Sequence, residues 1–196
     1  MNRILKFAFA LALTVVIAAP AMSPALAQAP KLPAGTDPQN ALVIDTTKGR
    51  IIIKLRTDLA PQHAERLKQL AREGFYDNVP WHRVMDGFMA QTGDGKNFNG
   101  TGNSKYPNLT AEFTPTPYAR GVVGMARGKA PNTANSQFFI VIGEASFLNG
   151  QYTVIGNVVS GMDVADKLKK APQGSQSGAV TDPDKMTKVQ VAADMK

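Results

Sequence analysis

The sequence predicts a mainly β domain in which an antiparallel sheet or barrel is flanked by two helices, and three observations support this fold class. From Val79 onward, short apolar runs are broken by Gly, Asn and Pro, a cadence typical of antiparallel strands. Two runs rich in Val and Ile precede them, at residues 41–46 and 50–55. The chain has 196 residues, 43% apolar and 19% charged, which fits one packed domain.

The first elements of the domain are predicted to be a hairpin and a helix. The two Val- and Ile-rich runs are separated by Thr47-Lys48-Gly49, and a short break that contains Gly is typical of a hairpin turn. Thr57 or Asp58 can cap a helix that has Pro61 in its first turn and ends at Gly74. Apolar residues recur at helical spacing in this segment: Ala60, Ala64, Leu67, Leu70 and Ala71.

The later runs predict five more strands, at residues 81–85, 88–91, 121–126, 137–142 and 153–159. Residues 93–105 are rich in Gly and Asn and predict a loop. A second helix is predicted over residues 162–170, and residues 188–192 predict a final strand that completes the sheet.

The N-terminus has the features of a cleaved signal peptide at residues 1–27. Arg3 and Lys6 precede an apolar stretch at residues 7–19, and Ala25-Leu26-Ala27 offers small residues to a signal peptidase. The alternative is a membrane anchor, but this stretch is too short, because a bilayer core requires ~20 residues. We therefore expect an exported, periplasmic protein without a stable membrane anchor. Residues 28–40 are predicted to be a flexible leader, and residues 41–196 the folded domain.

Composition excludes several kinds of chemistry. The chain has no cysteine, which rules out disulfides, thiol catalysis and cysteine-based metal sites. The formal net charge is +7, but the basic residues are scattered, whereas a nucleic-acid surface usually clusters them. We therefore expect no nucleic-acid partner.

Two histidines and one serine are the remaining candidates for metal or covalent chemistry. His63 and His82 lack the H-E-x-x-H spacing, so we expect no metal and no cofactor. His63 is predicted on the exposed side of the first helix, and His82, beside Trp81, as a packed strand residue. Ser136 lies outside a G-x-S-x-G elbow. A hydrolase that uses Ser136 and His82 is therefore a weak alternative.

Two segments carry the strongest functional signal. Residues 81–94 have the sequence WHRVMDGFMAQTGD, and residues 125–140 contain MAR followed later by SQFFI. Together with FLNG at residues 147–150, they resemble the signature segments of cyclophilins, and the resemblance extends over most of residues 41–192. It implies a closed eight-stranded antiparallel β-barrel capped by two α-helices. It also implies peptidyl-prolyl cis-trans isomerase activity on proline-containing unfolded or partly folded polypeptides.

The resemblance also implies which residues form the site. Arg83 is the predicted catalytic arginine, acting with Phe88 and Gln91. Phe138 and Phe139 must face opposite sides of their strand, and the resemblance selects Phe139 for the groove and leaves Phe138 in the core. The predicted substrate contacts are Met89, Ala126, Arg127, Gln137, Phe139, Phe147, Leu148 and Tyr152.

The chain departs from the common cyclophilin pattern at four positions. Phe147 stands where many members have a tryptophan whose N–H contacts cyclosporin, so we expect low sensitivity to that drug. Tyr152 replaces a histidine, Arg127 an asparagine and Asp86 a proline. None of these changes removes a member of the predicted catalytic set.

We therefore predict a monomeric prolyl isomerase that assists the folding of exported proteins. The alternative is a non-catalytic chaperone that binds proline-containing peptides on the same fold. The presence of Arg83 together with Phe88 and Gln91 favours the enzyme.

Overall fold

The computed structural model describes residues 31–196. The predicted signal peptide, residues 1–27, lies outside the described residues, as does the start of the predicted leader. Later in the leader, Pro38–Asn40 forms one 3-10 turn, and Asp37 caps it by accepting a hydrogen bond from the Gln39 amide at 3.0 Å. No helix within the described range is long and apolar enough to cross a bilayer.

Within residues 31–196, nine strands form one sheet in which every neighbouring pair is antiparallel. The two helices are α1 (Pro61–Arg72) and α2 (Met162–Lys167). Across the sheet the strand order is β3-β9-β1-β2-β8-β6-β7-β5-β4. The strands are β1 (Ala41–Thr46), β2 (Gly49–Leu55), β3 (Val79–Pro80), β4 (Arg83–Met85), β5 (Met89–Thr92), β6 (Val122–Met125), β7 (Phe138–Val141), β8 (Val154–Ser160) and β9 (Lys185–Val191).

The sheet curls into a barrel because its two edge strands are neighbours in the chain. β3 and β4 stand at opposite ends of the strand order, yet only Trp81 and His82 separate them. A later segment bonds to both linking residues: the Trp81 amide donates to the Asp184 carbonyl at 2.8 Å, and the Val180 amide donates to the His82 carbonyl at 3.1 Å. The predicted antiparallel barrel with two helices is confirmed.

The strand count and some boundaries differ from those predicted. The sheet has nine strands rather than eight, and the predicted run at residues 81–85 is a strand only from Arg83 onward. The second helix ends at Lys167, because Leu168 already has non-helical dihedral angles. The last strand begins at Lys185, earlier than predicted, because Lys185 and Met186 pair with β3. Met186 and residues 188–191 pair with β1.

Helix α1 is capped from a distance rather than by the predicted Thr57 or Asp58. Ala60 occupies the N-cap position and makes no side-chain capping bond. The Glu112 carboxylate instead accepts hydrogen bonds from the Gln62 and His63 amides, both at 3.2 Å. An acidic group at this end also interacts favourably with the helix dipole. Local sequence could not reveal this cap, since it comes from a loop remote in the chain.

Alternation along the strands separates the apolar residues into two layers. Phe138 and Ile140 of β7 belong to the main core, which also contains Trp81 and Leu67. Their neighbours in the strand, Phe139 and Val141, face the opposite side. They belong to a second cluster, whose other members are Met89, Tyr118, Val122, Ala145, Leu148 and Val154. The predicted division between Phe138 and Phe139 is confirmed. Both Trp81 and His82 are buried, as predicted for packing residues.

Candidate active site

Strand register places four residues in one row across β4, β5, β7 and β6. Arg83 pairs with Gln91, Gln91 pairs with Phe139, and Phe139 pairs with Gly124. Directly paired residues point to the same face of a sheet. The sheet therefore brings the side chains of Arg83, Gln91 and Phe139 together on the face opposite the main core.

The glycine at the end of this row makes room for the aromatic ring beside it. A Cβ atom at Gly124 would lie 2.6 Å from Cζ of Phe139 and 2.5 Å from the hydroxyl of Tyr118. The Phe139 ring stacks on Tyr118 with 5.7 Å between the ring centroids, and Tyr152 meets it edge-on at 5.9 Å. The rings of Tyr118 and Tyr152 thus pack against Phe139 and hold its side chain in this row.

A hollow of about 130 Å³ opens over this row. Since it lies where the resemblance predicts the proline pocket, we call it the proline hollow. Nine of the eleven predicted site residues line it, and the two that do not are Gln137 and Phe147. One wall is apolar and the other carries guanidinium and amide groups. The lining consists of Arg83, Phe88, Met89, Gln91, Ala126, Arg127, Phe139, Leu148 and Tyr152.

The guanidinium of Arg83 is held by one strong acceptor on each side and by two weak ones. Its Nε donates to the Ser177 carbonyl at 3.0 Å, and its Nη1 donates to Oε1 of Gln91 at 3.2 Å. The sulfur atoms of Met85 and Met89 lie 3.1 Å from Nη2 and 3.7 Å from Nη1. Thioether sulfur is a weak acceptor. A bound acceptor can therefore replace the sulfur contacts without cost to the two strong bonds.

Arg83 carries a charge that no neighbouring carboxylate neutralises. Within residues 31–196, no Asp or Glu oxygen lies within salt-bridge distance of Arg83, whereas Arg50, Arg56 and Arg72 each have a carboxylate partner. Burial lowers the pKa of Arg83, and the nearby Tyr152 acts in the opposite direction. An arginine nevertheless stays protonated in proteins. The proline hollow therefore contains a permanent positive charge.

The two predicted glutamines are bonded to each other. Gln91 donates from Nε2 to Oε1 of Gln137 at 3.0 Å, and Nε2 of Gln137 donates to the carbonyls of Gly100 and Gly102 at 3.0 and 2.9 Å. Both N–H groups of Gln137 are thus occupied by protein. Among the described residues, Gln91 donates only one of its two N–H groups, and its side chain lines the proline hollow. Of the two, Gln91 is the better placed to donate to a substrate.

A second hollow of about 270 Å³ adjoins the first, since Gln91, Ala126 and Arg127 line both. Gln137 lies here rather than in the proline hollow. The sequence analysis did not assign the other residues of this lining to the site, although the Gly- and Asn-rich composition of residues 93–105 was a signal for some of them. They are Gly100, Thr101, Asn103, Asn108, Gly128, Thr133 and Asn135.

Two predicted contacts stand at the rim. Phe147 is 61% exposed, and its ring lies beside that of Phe88 at 5.1 Å between centroids. The guanidinium of Arg127 lies 4.5 Å above the Tyr152 ring and donates from Nε and Nη2 to the Gln151 carbonyl. Arg127 is therefore fixed in place, and it has no salt-bridge partner among the described residues.

His63 is buried, which makes the prediction of an exposed position wrong. The side chain is 0% exposed, and Nδ1 lies 2.6 Å from Oε2 of Glu112. His63, Leu67 and Leu70 have the spacing i, i+4 and i+7 and therefore share one helix face, a signal that was present in the sequence. Burial lowers the pKa of His63, while the Glu112 carboxylate acts to raise it.

The hydrolase alternative is contradicted by the surroundings of Ser136. This residue is 0% exposed, and its hydroxyl donates to the Gly93 carbonyl at 2.9 Å. It is not bonded to His82, whose pKa is lowered by burial. In the described part of the chain, no group of three or more His, Cys, Asp or Glu residues could hold a metal ion.

The family described as cyclophilin type peptidyl-prolyl cis-trans isomerase/CLD matches residues 41–191. The chain belongs to this family. It is 51% identical over 170 residues to a protein of Brucella suis described as a probable peptidyl-prolyl cis-trans isomerase, covering 82% of this chain and 86% of the relative. It is 38% identical over 137 residues to peptidyl-prolyl cis-trans isomerase B of Escherichia coli, covering 66% of this chain and 84% of that enzyme.

Solved cyclophilin structures share the fold. A cyclophilin of Hirschia baltica superposes with a TM-score of 0.73 at 26% identity, covering 82% of this chain and 77% of that one. A cyclophilin type isomerase of Cryptosporidium parvum, solved in the presence of the dipeptide Ala-Pro, gives a TM-score of 0.69 at 26% identity, covering 77% and 98%. The enzyme described here is accordingly a peptidyl-prolyl cis-trans isomerase of the cyclophilin type.

Proposed function

We propose that Arg83 is the catalytic residue of this isomerase and that the proline hollow receives the ring of the substrate proline. One observation carries the proposal: a permanent, unneutralised cation lines the same small hollow as Phe88, Met89 and Phe139. The apolar wall offers a ring-shaped group a place to bury, and the cation stands beside it.

Catalysis of this rotation needs both the apolar wall and the cation. Rotation about an X-Pro bond breaks no covalent bond, and its barrier of ~18–20 kcal/mol is the lost amide resonance. As the bond twists, the proline nitrogen becomes pyramidal and regains a lone pair. A donor aimed at that nitrogen binds the twisted amide more tightly than either planar form. Preferential binding of the transition state is the condition for catalysis.

Arg83 can supply that donor. Its Nε and one Nη1 hydrogen hold the guanidinium through Ser177 and Gln91, while the N–H groups that face sulfur are available. A guanidinium donates at any ordinary pH, and its planar fork can hold several acceptors at once. The free N–H of Gln91 can hold one substrate carbonyl in a fixed direction while the carbonyl that precedes the proline swings.

Burial of a proline ring places few restrictions on the substrate residues that flank the proline. We therefore propose that the substrates are proline-containing segments of unfolded or partly folded polypeptides, without a strict sequence requirement. The Ala-Pro dipeptide in the Cryptosporidium parvum structure supports a proline-containing substrate for the family. The exposed rim position of Phe147, which has no N–H donor, supports weak binding of cyclosporin.

Replacement of Arg83 tests the catalytic role. The substitution Arg83→Ala should slow isomerisation of an X-Pro test peptide at least ~10²-fold, which corresponds to about 2.7 kcal/mol of lost transition-state stabilisation. Arg56→Ala is the matched control, because Arg56 pairs with Asp58 away from the hollow and should be dispensable for turnover. A wild-type rate in folded Arg83→Ala would refute the proposed role.

The same assay separates the enzyme from a non-catalytic binding module. A chaperone that only binds proline-containing peptides would show saturable peptide binding with no acceleration of cis-trans exchange in the wild-type protein. The charged and partly available guanidinium of Arg83 favours catalysis over simple binding.

We also propose that the mature protein begins at Gln28 and acts outside the cytoplasm, in the periplasm, as a monomer that helps exported polypeptides fold. The support is the signal-peptide pattern at residues 1–27. Ala27→Leu should block cleavage, whereas Leu26→Ser, between the two small residues that a signal peptidase inspects, should not. Mass spectrometry and light scattering of the periplasmic fraction measure the N-terminus and the oligomeric state. Uncleaved wild-type protein in the cytoplasm would contradict the proposal.

A further inference from the structure

Asp94 ends the first signature segment, yet the mechanism above gives it no role. It follows β5 directly after Gly93, and its side chain is 0% exposed. A buried carboxylate is costly unless it is fully hydrogen-bonded. Its surroundings therefore show what the fold uses this charge for.

The Asp94 carboxylate gathers the backbone of the following loop around itself. Oδ1 accepts from the amides of Lys96 and Asn97 at 3.1 and 2.8 Å. Oδ2 accepts from three more amides, those of Asn99 at 3.2 Å, Gly100 at 2.9 Å and Gly102 at 3.0 Å. Five donors converge on one side chain, so the path of residues 96–102 is set by a single carboxylate.

The loop held in this way presents two carbonyls to the active site. The Gly100 and Gly102 carbonyls take both N–H groups of Gln137. This fixes which end of the Gln137 amide faces Gln91, and Oε1 of Gln137 accepts from Nε2 of Gln91. The orientation of Gln91 in turn directs its Oε1 toward Nη1 of Arg83.

We propose that Asp94 is a positioning residue that orients the Arg83 guanidinium through this loop, Gln137 and Gln91, an inference that rests on the role proposed for Arg83. The carboxylate sets the position of the Gly100 and Gly102 carbonyls, and these carbonyls, which can only accept, set the direction of the Gln137 and Gln91 amides. If the amide of Gln137 or Gln91 were turned around, an N–H donor would face another donor.

The charge state of Asp94 supports this role. Burial acts to raise its pKa, but hydrogen bonds from the loop amides outweigh that effect and lower the pKa from 3.8 to about 2. The carboxylate is therefore ionised and accepts at both oxygens throughout the pH range in which the enzyme works. An asparagine has nearly the same shape, but its NH₂ group would face amides that need an acceptor.

The substitution Asp94→Asn tests the proposal. We expect kcat on an X-Pro peptide to fall about tenfold or more while KM changes little, because the apolar wall of the proline hollow is untouched and only the donor is misplaced. Asp58→Asn is the matched control, since Asp58 is exposed and bonds only to Arg56. Folded Asp94→Asn with wild-type kcat overturns the proposal.

A double-mutant cycle shows whether the effect travels through Gln137. If Asp94 acts through that amide, Asp94→Asn combined with Gln137→Leu should be no slower than the slower single variant. Combined with Leu148→Ala, on the apolar wall, the losses should multiply. Multiplication with Gln137→Leu as well would show a general structural effect and overturn the proposal.

A second variant keeps the test decisive if Asp94→Asn does not fold. A Cβ atom at Gly102 would overlap Oδ1 of Asp94, so Gly102→Ala displaces the loop while the carboxylate remains. It should show the same loss of kcat, and a wild-type kcat would overturn the proposal. The Arg83→Ala result separates this inference from the proposed function: if that variant is inactive while Asp94→Asn and Gly102→Ala are fully active, only the inference fails.

Discussion

Nη1 of Arg83 donates to Oε1 of Gln91 at 3.2 Å, and the two residues are directly paired across strands β4 and β5. Backbone register and side-chain bonding thus fix the same contact. The guanidinium has little freedom to turn away from the proline hollow, because the Ser177 carbonyl holds its other side at 3.0 Å from Nε.

The planar, forked geometry of the guanidinium, and not its charge alone, should be needed for catalysis at position 83. Arg83→Lys keeps a positive charge, but an ammonium group on a flexible stem cannot hold Ser177 and Gln91 at once and still donate to a substrate. We expect kcat/KM to fall about ten- to a hundredfold, because a misplaced donor loses that much in rate. Peptide isomerisation assays measure this. Full activity of Arg83→Lys would show that charge suffices.

The space at Gly124 should be required for the position of Phe139. Gly124→Ala places a Cβ 2.6 Å from Phe139 Cζ and 2.5 Å from the Tyr118 hydroxyl. We expect a loss of about 1–3 kcal/mol in the free energy of unfolding from overpacking, together with a higher KM. Urea unfolding and peptide kinetics measure the two effects.

A second substitution checks the cause. The Tyr118 hydroxyl is buried without a hydrogen-bond partner, so Tyr118→Phe alone should cost little. Adding Tyr118→Phe to Gly124→Ala should restore part of the lost stability, because it removes the nearest clashing atom. No recovery in the double variant would count against steric overlap at this position.

Arg127 should favour acidic side chains near the substrate proline. It lies where the two hollows meet, and the only charged residues that line them are Arg83 and Arg127. We expect peptides with Glu near the X-Pro bond to exceed their Gln counterparts by about two- to fivefold in kcat/KM at low salt, the size of a surface ion pair.

Charge variants identify the residue responsible for that preference. The Glu-to-Gln ratio should approach one in Arg127→Gln and persist in Arg127→Lys. It should also persist in the control Lys129→Gln, because Lys129 lines neither hollow. An unchanged ratio in Arg127→Gln would assign the preference to other charges.

Stability should fall as the pH drops through the titration range of the buried histidines. Burial lowers the pKa of His63 from 6.5 in the folded state, with the Glu112 carboxylate opposing and Arg66 assisting, and burial likewise lowers the pKa of His82. The unfolded chain thus binds more protons below ~6.5, so the free energy of unfolding decreases with falling pH.

Thermal unfolding at a series of pH values measures this slope. His63→Gln should make the decrease in Tm between about pH 8 and about pH 5.5 smaller, and adding His82→Gln should reduce it further. A double variant with the same slope as the wild type would show that other groups control stability in this range.

Residue patterns predicted most of the secondary-structure elements, and the resemblance to cyclophilins predicted much of the site. The Val- and Ile-rich runs, the Thr47-Lys48-Gly49 break and the apolar spacing of α1 correspond to β1, β2 and the helix in the structure. The resemblance to cyclophilins identified nine residues that line one hollow. These features follow from local propensity, side-chain alternation and short motifs, which a sequence displays directly.

Other contacts join residues that no local pattern connects. Glu112 caps α1 and bonds to buried His63, the Ser177 carbonyl holds Arg83, and the Asp94 loop fixes Gln137. Each depends on how loops cross the barrel, and loop paths are set by packing and by the need to satisfy buried polar groups. The sequence by itself predicted eight of the nine strands, both helices and the residue types that could bind a proline. Only the tertiary structure decided where the Arg83 guanidinium points, because its direction is set by acceptors that come together after the sheet has curled.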